Sequence, residues 1–334
     1  GETVAPPGSF NNEIGHPYTV LRCTEETKFL VAEMSARGIG HIAHLATIAP
    51  PQIGVVLNVG SAHLGEFGSR ENIAQAKGEL VEALPADGIA VLNADDDLVN
   101  AMAPRTKARV VRFSANGNTA ADYYATDVEL DAVARASFIM HTPKSDPQRV
   151  TLNVFGAHQV GNALAAAAVG IESGMDAATV AQALSDAHSV SVNRMDVNTR
   201  ADGVTVINDA YNANPESMRA AIAALGYTAA ARPGVRSVAV LGEMGELGAG
   251  AEHEHAALAD ELARYSVTDL ITVGNNASME ALAERAEQFG IRTSGVADAA
   301  EASEVVRELL AMPPAGIDDW QSRTDRDVVL VKAS

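Results

Sequence analysis

The sequence predicts an α/β protein of two successive domains, each built on a mostly parallel sheet. Three observations carry this. Short apolar runs of strand length alternate with Ala-rich stretches of helical period, the pattern of a sheet covered on both faces. The alternation pauses near Val190–Val197 and then starts afresh. And 334 residues are too many for one ordinary hydrophobic core.

Taken in order, Phe29–Met34 (FLVAEM), Ile53–Gly60 (IGVVLNVG), Gly88–Asp95 (GIAVLNAD) and Arg109–Ala115 (RVVRFSA) read as fully buried strands. Between the second and third, Arg70–Leu84 reads as a helix. ARASFIMHTP and QRVTLNVFG then read as an antiparallel edge pair. They lead into the helix GNALAAAAVGIESG and a second helix over Asp176–Ala187. Beyond SVSVNRMDV the strands are VTVIND, SVAVLGEMG, DLITVGNN and DVVLVKAS. Their helices are predicted over Pro215–Leu225, His253–Tyr265, Ser278–Gln288 and Ala299–Leu310. MPPAGIDDWQSRT reads as a loop before the last strand.

Charge excludes some partners. With 43 acids against 24 Lys and Arg the net charge is −19, which argues against nonspecific binding to nucleic acid or an anionic membrane. Small anionic ligands need only a local cation. The single cysteine, Cys23, rules out an intramolecular disulfide framework and fits a reducing compartment. The longest apolar stretch, Ala163–Ile171, is about half the length of a bilayer span. No basic-then-apolar leader opens the chain. A soluble, cytoplasmic monomer is the expectation. The chain opens on GETVAPPGSFNNEIG, which reads as a loop with no strand or helix before it, and closes on VLVKAS at a strand end. A fragment of a longer protein is therefore expected.

Several residues are placed to carry chemistry. Lys77 lies four residues after Ile73 and four before Val81, on the apolar face of its helix. One reading is a stem lying on the core with its ammonium reaching water. The other is a partly buried amine, open to covalent modification or phosphate contact. Glu33 ends one apolar strand and His63 follows another by three residues. Ligands collect outside the carboxyl ends of parallel strands, so the two could share a divalent metal. Alternatively they are a loop histidine and a strand-end acid with no common partner. In NADDD, Asp96 or Asp97 reads as a helix cap. His158 and Asn162 flank the start of a helix, where capping explains both. VINDAYNANPESM puts Asp209 to Asn214 on a strand end, with Asn214 capping the helix that Pro215 begins. There is no G-x-x-x-x-G-K-S/T loop and no G-x-G-x-x-G after a strand; ARGIGHIAH is the nearest glycine pattern.

Taken together, GSFNNEIGHPYTVLR, AEMSARGIGHIAHLATIAPP, NVGSAHLGEFGSRENIAQAKGEL, VLNADDD, GAHQVGNALAA, NDAYNANPESMRAAI, VLGEMGELG and VLVKAS resemble the Mur ligases, in the family's order and over nearly the whole chain. FNNEIG and DAYNANPxSM point to the branch that adds D-alanyl-D-alanine to UDP-N-acetylmuramoyl-tripeptide. The resemblance implies a P-loop-type central ATPase domain over residues 1–192, here without its P-loop strand and helix. A Rossmann-like C-terminal ligase domain follows over 193–334. Activity of this chain by itself is not expected.

What the resemblance implies for single residues follows. Glu33 and His63 match magnesium (Mg2+) ligands, and Lys77 matches a lysine carried as a carbamate, which would supply oxygen to the metal. Asn162 matches an asparagine at the adenine of ATP. Arg194 and Asp209 match residues that reach ATP from across the interdomain cleft, at the phosphates and the ribose. Asn212 and Tyr211 would face that cleft, Asn212 towards the nucleotide and Tyr211 towards substrate. Asn11 and Asn12 match a loop on the muramoyl-peptide side. Gln159 stands where asparagine is usual in HNxxN, Ala333 where glycine is usual in VKGSR, and SVSVNRM lacks the usual GR approach to Arg194. The implied chemistry is an ATP-dependent amide ligation through an acyl phosphate. Within the ligases, a diamino-acid-adding enzyme or a folylpolyglutamate synthase relative is the alternative, against which DAYNANPESM speaks. From another class, a noncatalytic nucleotide- or partner-binding module would explain the missing phosphate loop.

Overall fold

The computed structural model describes residues 1–334 other than 61–63, 144, 189–194, 315, 316, 318, 319, 321 and 322. The chain forms two compact units. The first comprises Gly1–Asp127, Phe138–Val150 and Val160–Leu184, the second Val128–Ser137, Thr151–Gln159 and Ser185–Ser334.

The N-terminal half begins with β1 (Glu2–Val4), α1 (Gly15–Val20), β2 (Thr27–Leu30) and α2 (His41–Ile48). β1 and β2 pair in parallel as a separate two-stranded sheet. Next come β3 (Ile53–Val56), α3 (Leu64–Phe67), α4 (Arg70–Glu82), β4 (Ile89–Asn93), α5 (Asp97–Asn100) and β5 (Arg109–Ser114). Then follow β6 (Tyr123–Leu130), β7 (Arg135–Thr142), β8 (Ser145–Phe155), α6 (Gln159–Glu172) and α7 (Ala177–Asp186). The strands from β3 to β8 make one sheet in sequence order, and β3, β4, β5 and β6 run parallel. Ala90, Val91 and Leu92 of β4 are all fully buried, so both faces of this strand are covered, as its unbroken apolar run predicts. Ile73 and Val81 of α4, with Leu84 just beyond it, share a core cluster with Val56 and Leu92.

The second half contains β9 (Asp196–Thr199), β10 (Thr205–Asn208), α8 (Pro215–Ala230), β11 (Ser237–Gly242) and α9 (Ala251–Arg264). It ends with β12 (Asp269–Val273), α10 (Ala277–Gln288), β13 (Arg292–Val296), α11 (Ala299–Ala311) and β14 (Val328–Lys332). The strand order is β13-β12-β11-β14-β10-β9, parallel except for β9. Residues of α8, α9 and α10 share one core cluster on this sheet, and Val305, Val306, Leu309 and Leu310 of α11 pack on another. The last strand in sequence therefore lies between β11 and β10. Its final residue, Lys332, emerges beside the turns that leave both neighbours.

Two expectations fail here. Phe29–Met34 is not a buried strand. β2 stops at Leu30, Phe29 and Val31 are exposed, and Glu33 sits in irregular backbone. β1 is the only strand paired with β2 among the described residues, so β2 is no central strand of a large sheet there. Nor is the opening segment GETVAPPGSFNNEIG a plain loop, since it holds β1 and the first residue of α1.

Candidate functional site

In the first unit, side chains at the carboxyl end of β3 pin the backbone that leaves it. Asn93 Nδ2 donates to the Leu57 carbonyl at 2.8 Å, Lys77 Nζ to that of Asn58 at 2.6 Å, and Arg70 Nη2 to that of Val59 at 2.7 Å. Asp96 Oδ2 accepts from the Val59 amide at 2.7 Å, while its Oδ1 caps α5 through the Leu98 and Val99 amides. The cap expected in NADDD is thus also a tie to β3. Lys77 lies half-buried on the expected face of α4, directed at the segment that continues towards His63. His63 itself lies outside the described residues.

Glu33 and Asn11 are brought together. Asn11 Nδ2 donates to Glu33 Oε1 at 3.0 Å, and Ser35 Oγ donates back to Asn11 Oδ1 at 3.1 Å. The His16 ring also donates to the Glu33 carbonyl, at 3.2 Å. Asn12 does different work: its Oδ1 accepts from the Ile14 and Gly15 amides, 3.2 and 2.9 Å away, and so starts α1. Gly15 is required there, because a Cβ would stand 2.6 Å from the Phe10 Cα. Among the described residues no group of three or more His, Cys, Asp or Glu could hold a metal. Glu33 does fit magnesium by chemistry, as an exposed carboxylate and a hard oxygen donor.

One residue escaped the sequence reading in this unit. Glu79 is buried on α4, and its two oxygens accept from the Gly40 and Ala43 amides at 2.5 and 2.9 Å. It caps α2 from a distance, at a terminus where Gly40 adopts φ +93° and offers no side chain of its own.

In the second unit the centre is Asp209, just past β10. Its Oδ2 accepts from Lys332 Nζ at 2.5 Å and its Oδ1 from the Met195 amide at 3.0 Å. Lys332 is only 1% exposed, and it also donates to the carbonyls of Asn212 at 2.8 Å and Asp209 at 3.3 Å. Both carboxylate oxygens therefore have protein partners. Met195 holds a left-handed φ of 47°, a conformation costing of order 1 kcal/mol that its tie to Asp209 helps to maintain. Arg194, immediately before it, lies outside the described residues. Tyr211 and Asn212 are exposed on the same turn. Asn214 and Ser217 form a reciprocal capping box at the head of α8.

The turn after β11 is anchored too. His255 is fully buried, accepts from the Met244 amide at 2.8 Å and donates from Nδ1 to the Ala251 carbonyl at 2.7 Å. Ser334 Oγ donates to the Glu243 carbonyl at 2.8 Å. His158 precedes α6 and is partly exposed, yet desolvation lowers its pKa; Asp209 opposes this and Lys332 adds to it. Asn162 lies exposed in the first turn of α6.

Lys332 is the functional candidate that the sequence reading missed. A signal was present: a lysine that closes the apolar run VVLVK can be buried only against an acid or carbonyls. Its partner lies 123 residues away, so no local pattern could name it.

Residues 1–170 match the Mur ligase middle domain, and residues 193–334 match the Mur ligase glutamate ligase domain. The UDP-N-acetylmuramoyl-tripeptide–D-alanyl-D-alanine ligase of Mycobacterium tuberculosis (strain H37Rv) is 52% identical over 336 residues, covering all of this chain and 65% of that protein. The chain thus spans about two thirds of the length of such relatives. A crystal structure of MurF from Acinetobacter baumannii superimposes with a TM-score of 0.84 at 30% identity, over 100% of this chain and 68% of that one. MurF ligase from Thermotoga maritima in complex with ADP superimposes with a TM-score of 0.80 at 28% identity, over 100% and 70%.

Proposed function

Because the chain belongs to the Mur ligase family, through both its middle and its glutamate ligase domain, we propose a specific activity for the gene product that contains it. That product is an ATP-dependent ligase joining D-alanyl-D-alanine to UDP-N-acetylmuramoyl-tripeptide in peptidoglycan precursor synthesis. The supporting observation is 52% identity to ligases of that specificity, sustained over the whole chain.

A carboxylate and an amine do not condense at neutral pH, because oxide is too poor a leaving group. The terminal carboxylate of the tripeptide attacks the γ-phosphorus of ATP and releases ADP, leaving an acyl phosphate. The dipeptide amine then adds to the acyl carbon, loses its proton, and the tetrahedral intermediate expels phosphate. Glu33, His63 and a carbamate on Lys77 would hold magnesium, which when bound offsets negative charge on the reacting phosphoryl and carboxylate groups. Asn11 steadies Glu33 and, with Asn12, belongs to the muramoyl-peptide side. Asn162, Arg194, Asp209 and Asn212 serve the nucleotide, and Tyr211 the peptide substrate. Residues 1–192 act as the ATPase domain and 193–334 as the ligase domain. The nucleotide-linked substrate places the reaction in the cytoplasm, carried out by a monomer. No described helix is long and apolar enough to cross a membrane.

Acceptor profiling tests the proposal. With ATP, magnesium and the UDP-linked tripeptide, amide should form with D-alanyl-D-alanine and one phosphate should be released per bond. Use of a free diamino acid in place of the dipeptide would overturn it.

A further inference from the structure

Two side chains meet backbone amides at the turn that runs from Asp209 to Asn212. The Ala210 amide reaches Asn208 Oδ1 at 3.3 Å, and the Ala213 amide reaches Oδ1 of Asn212 at 2.9 Å. The carbonyls of Asp209 and Asn212 both turn inward, to one ammonium. Lys332 meets these two carbonyls and the Asp209 carboxylate, within 3.3 Å of each. The other carboxylate oxygen holds the Met195 amide at the entrance to β9. One side chain on β14 therefore sets the shape of a turn on β10 and, through Asp209, the start of β9.

Stability alone is a poor reason for such an arrangement. A buried ion pair is commonly no more stabilising than well-packed apolar residues of the same volume. A compact ammonium does suit this geometry, because its N–H groups diverge towards separate acceptors, whereas a guanidinium presents a flat fork. The shape so fixed is that of the turn on which Tyr211 and Asn212 stand exposed.

We propose that Lys332 is a positioning residue. It orients the Asp209 carboxylate and holds the 209–212 turn in the form that receives the nucleotide, without touching the reacting atoms. The inference rests on the assignment of Asp209 and Asn212 to the nucleotide made above.

The test is steady-state ligation by the gene product that contains this chain, with Lys332→Met, Asp209→Asn and the double variant. Lys332→Met should raise the KM for ATP about tenfold or more, while the KM for D-alanyl-D-alanine stays within about twofold. The double variant should be no worse than the poorer single one, since both act on one contact. If Lys332→Met does not fold, Lys332→Gln, whose amide still donates, is read the same way. A merely structural lysine would lower the melting temperature and leave the ATP KM within about twofold below the melt, which would overturn the inference. Should Asp209→Asn leave the ATP KM unchanged, the nucleotide assignment fails and the inference fails with it. An Asp209→Asn variant that raises this KM while both Lys332 variants do not would overturn the inference alone.

Discussion

Lys77 sits half-buried on the apolar face of α4 with its Nζ 2.6 Å from the Asn58 carbonyl. Its amine is thus directed at the backbone that leaves β3. Only a neutral amine reacts with carbon dioxide, and the carbamate so formed is a hard oxygen donor. Lys77→Ala in the gene product should abolish ligation, and formate, which can stand in for carbamate oxygens, should restore part of it. Wild-type turnover by the variant without rescue would contradict the carbamate role. His158 offers a second reading at this scale. Desolvation holds its imidazole below the ordinary 6.5, Asp209 pulls it back up, and Lys332 pushes it down. Protonation is thus harder in the folded chain than in the unfolded one. The linked stability is full above the unfolded value and is lost as pH falls through the folded value. In an NMR titration, Lys332→Met should raise the His158 pKa and Asp209→Asn should lower it further. Insensitivity to both changes would contradict the charge arrangement around Asp209.

Among the elements, α8 separates structural from functional parts of one turn. Asn214→Ala removes its capping box and should cost about 1 kcal/mol in denaturant unfolding. The ATP KM should not move, because Asn214 serves the helix alone; a large rise would move Asn214 into the site. β11 and β14 make a tighter test. A Cβ on Gly242 would stand 2.7 Å from the Cβ of Ala333. Gly242→Ala should therefore destabilise by roughly 1–3 kcal/mol, and adding Ala333→Gly should recover part of that. Equal stability of the two variants in thermal melts would refute the close approach.

The same elements show what could be read from sequence. α4, α8 with its Asn214 cap, β10, β11 and β14 were legible because period, caps and unbroken apolar runs agree there. β6 and β13 were not. Each exposes part of its length, and RTSGV contains no apolar run. β2 misled for the opposite reason, since an apolar segment with one strand neighbour leaves Phe29 and Val31 in the open. At the candidate site, Lys77 was readable as a helix-face oddity and Asp209 as a strand-end one, whereas Glu33 was read off a strand that in fact stops at Leu30. The ties that orient Glu33 and Asp209, from Asn11 and Lys332, cross 22 and 123 residues, so no local pattern names the partners.

For the molecule as a whole, Lys77 in one unit reaches the backbone that leaves the parallel strand β3, and Asp209 in the other directly follows the parallel strand β10. The chain carries a net charge of −19, whereas the proposed substrates are anionic. The proposed ligation depends on activation of a carboxylate by phosphoryl transfer, and oxygen isotopes report on it directly. The gene product containing this chain would be given UDP-N-acetylmuramoyl-tripeptide labelled with 18O in its terminal carboxylate, together with ATP, magnesium and D-alanyl-D-alanine. An acyl-phosphate route predicts that each amide formed sends one labelled oxygen into the released phosphate. Amide formation with unlabelled phosphate would contradict it.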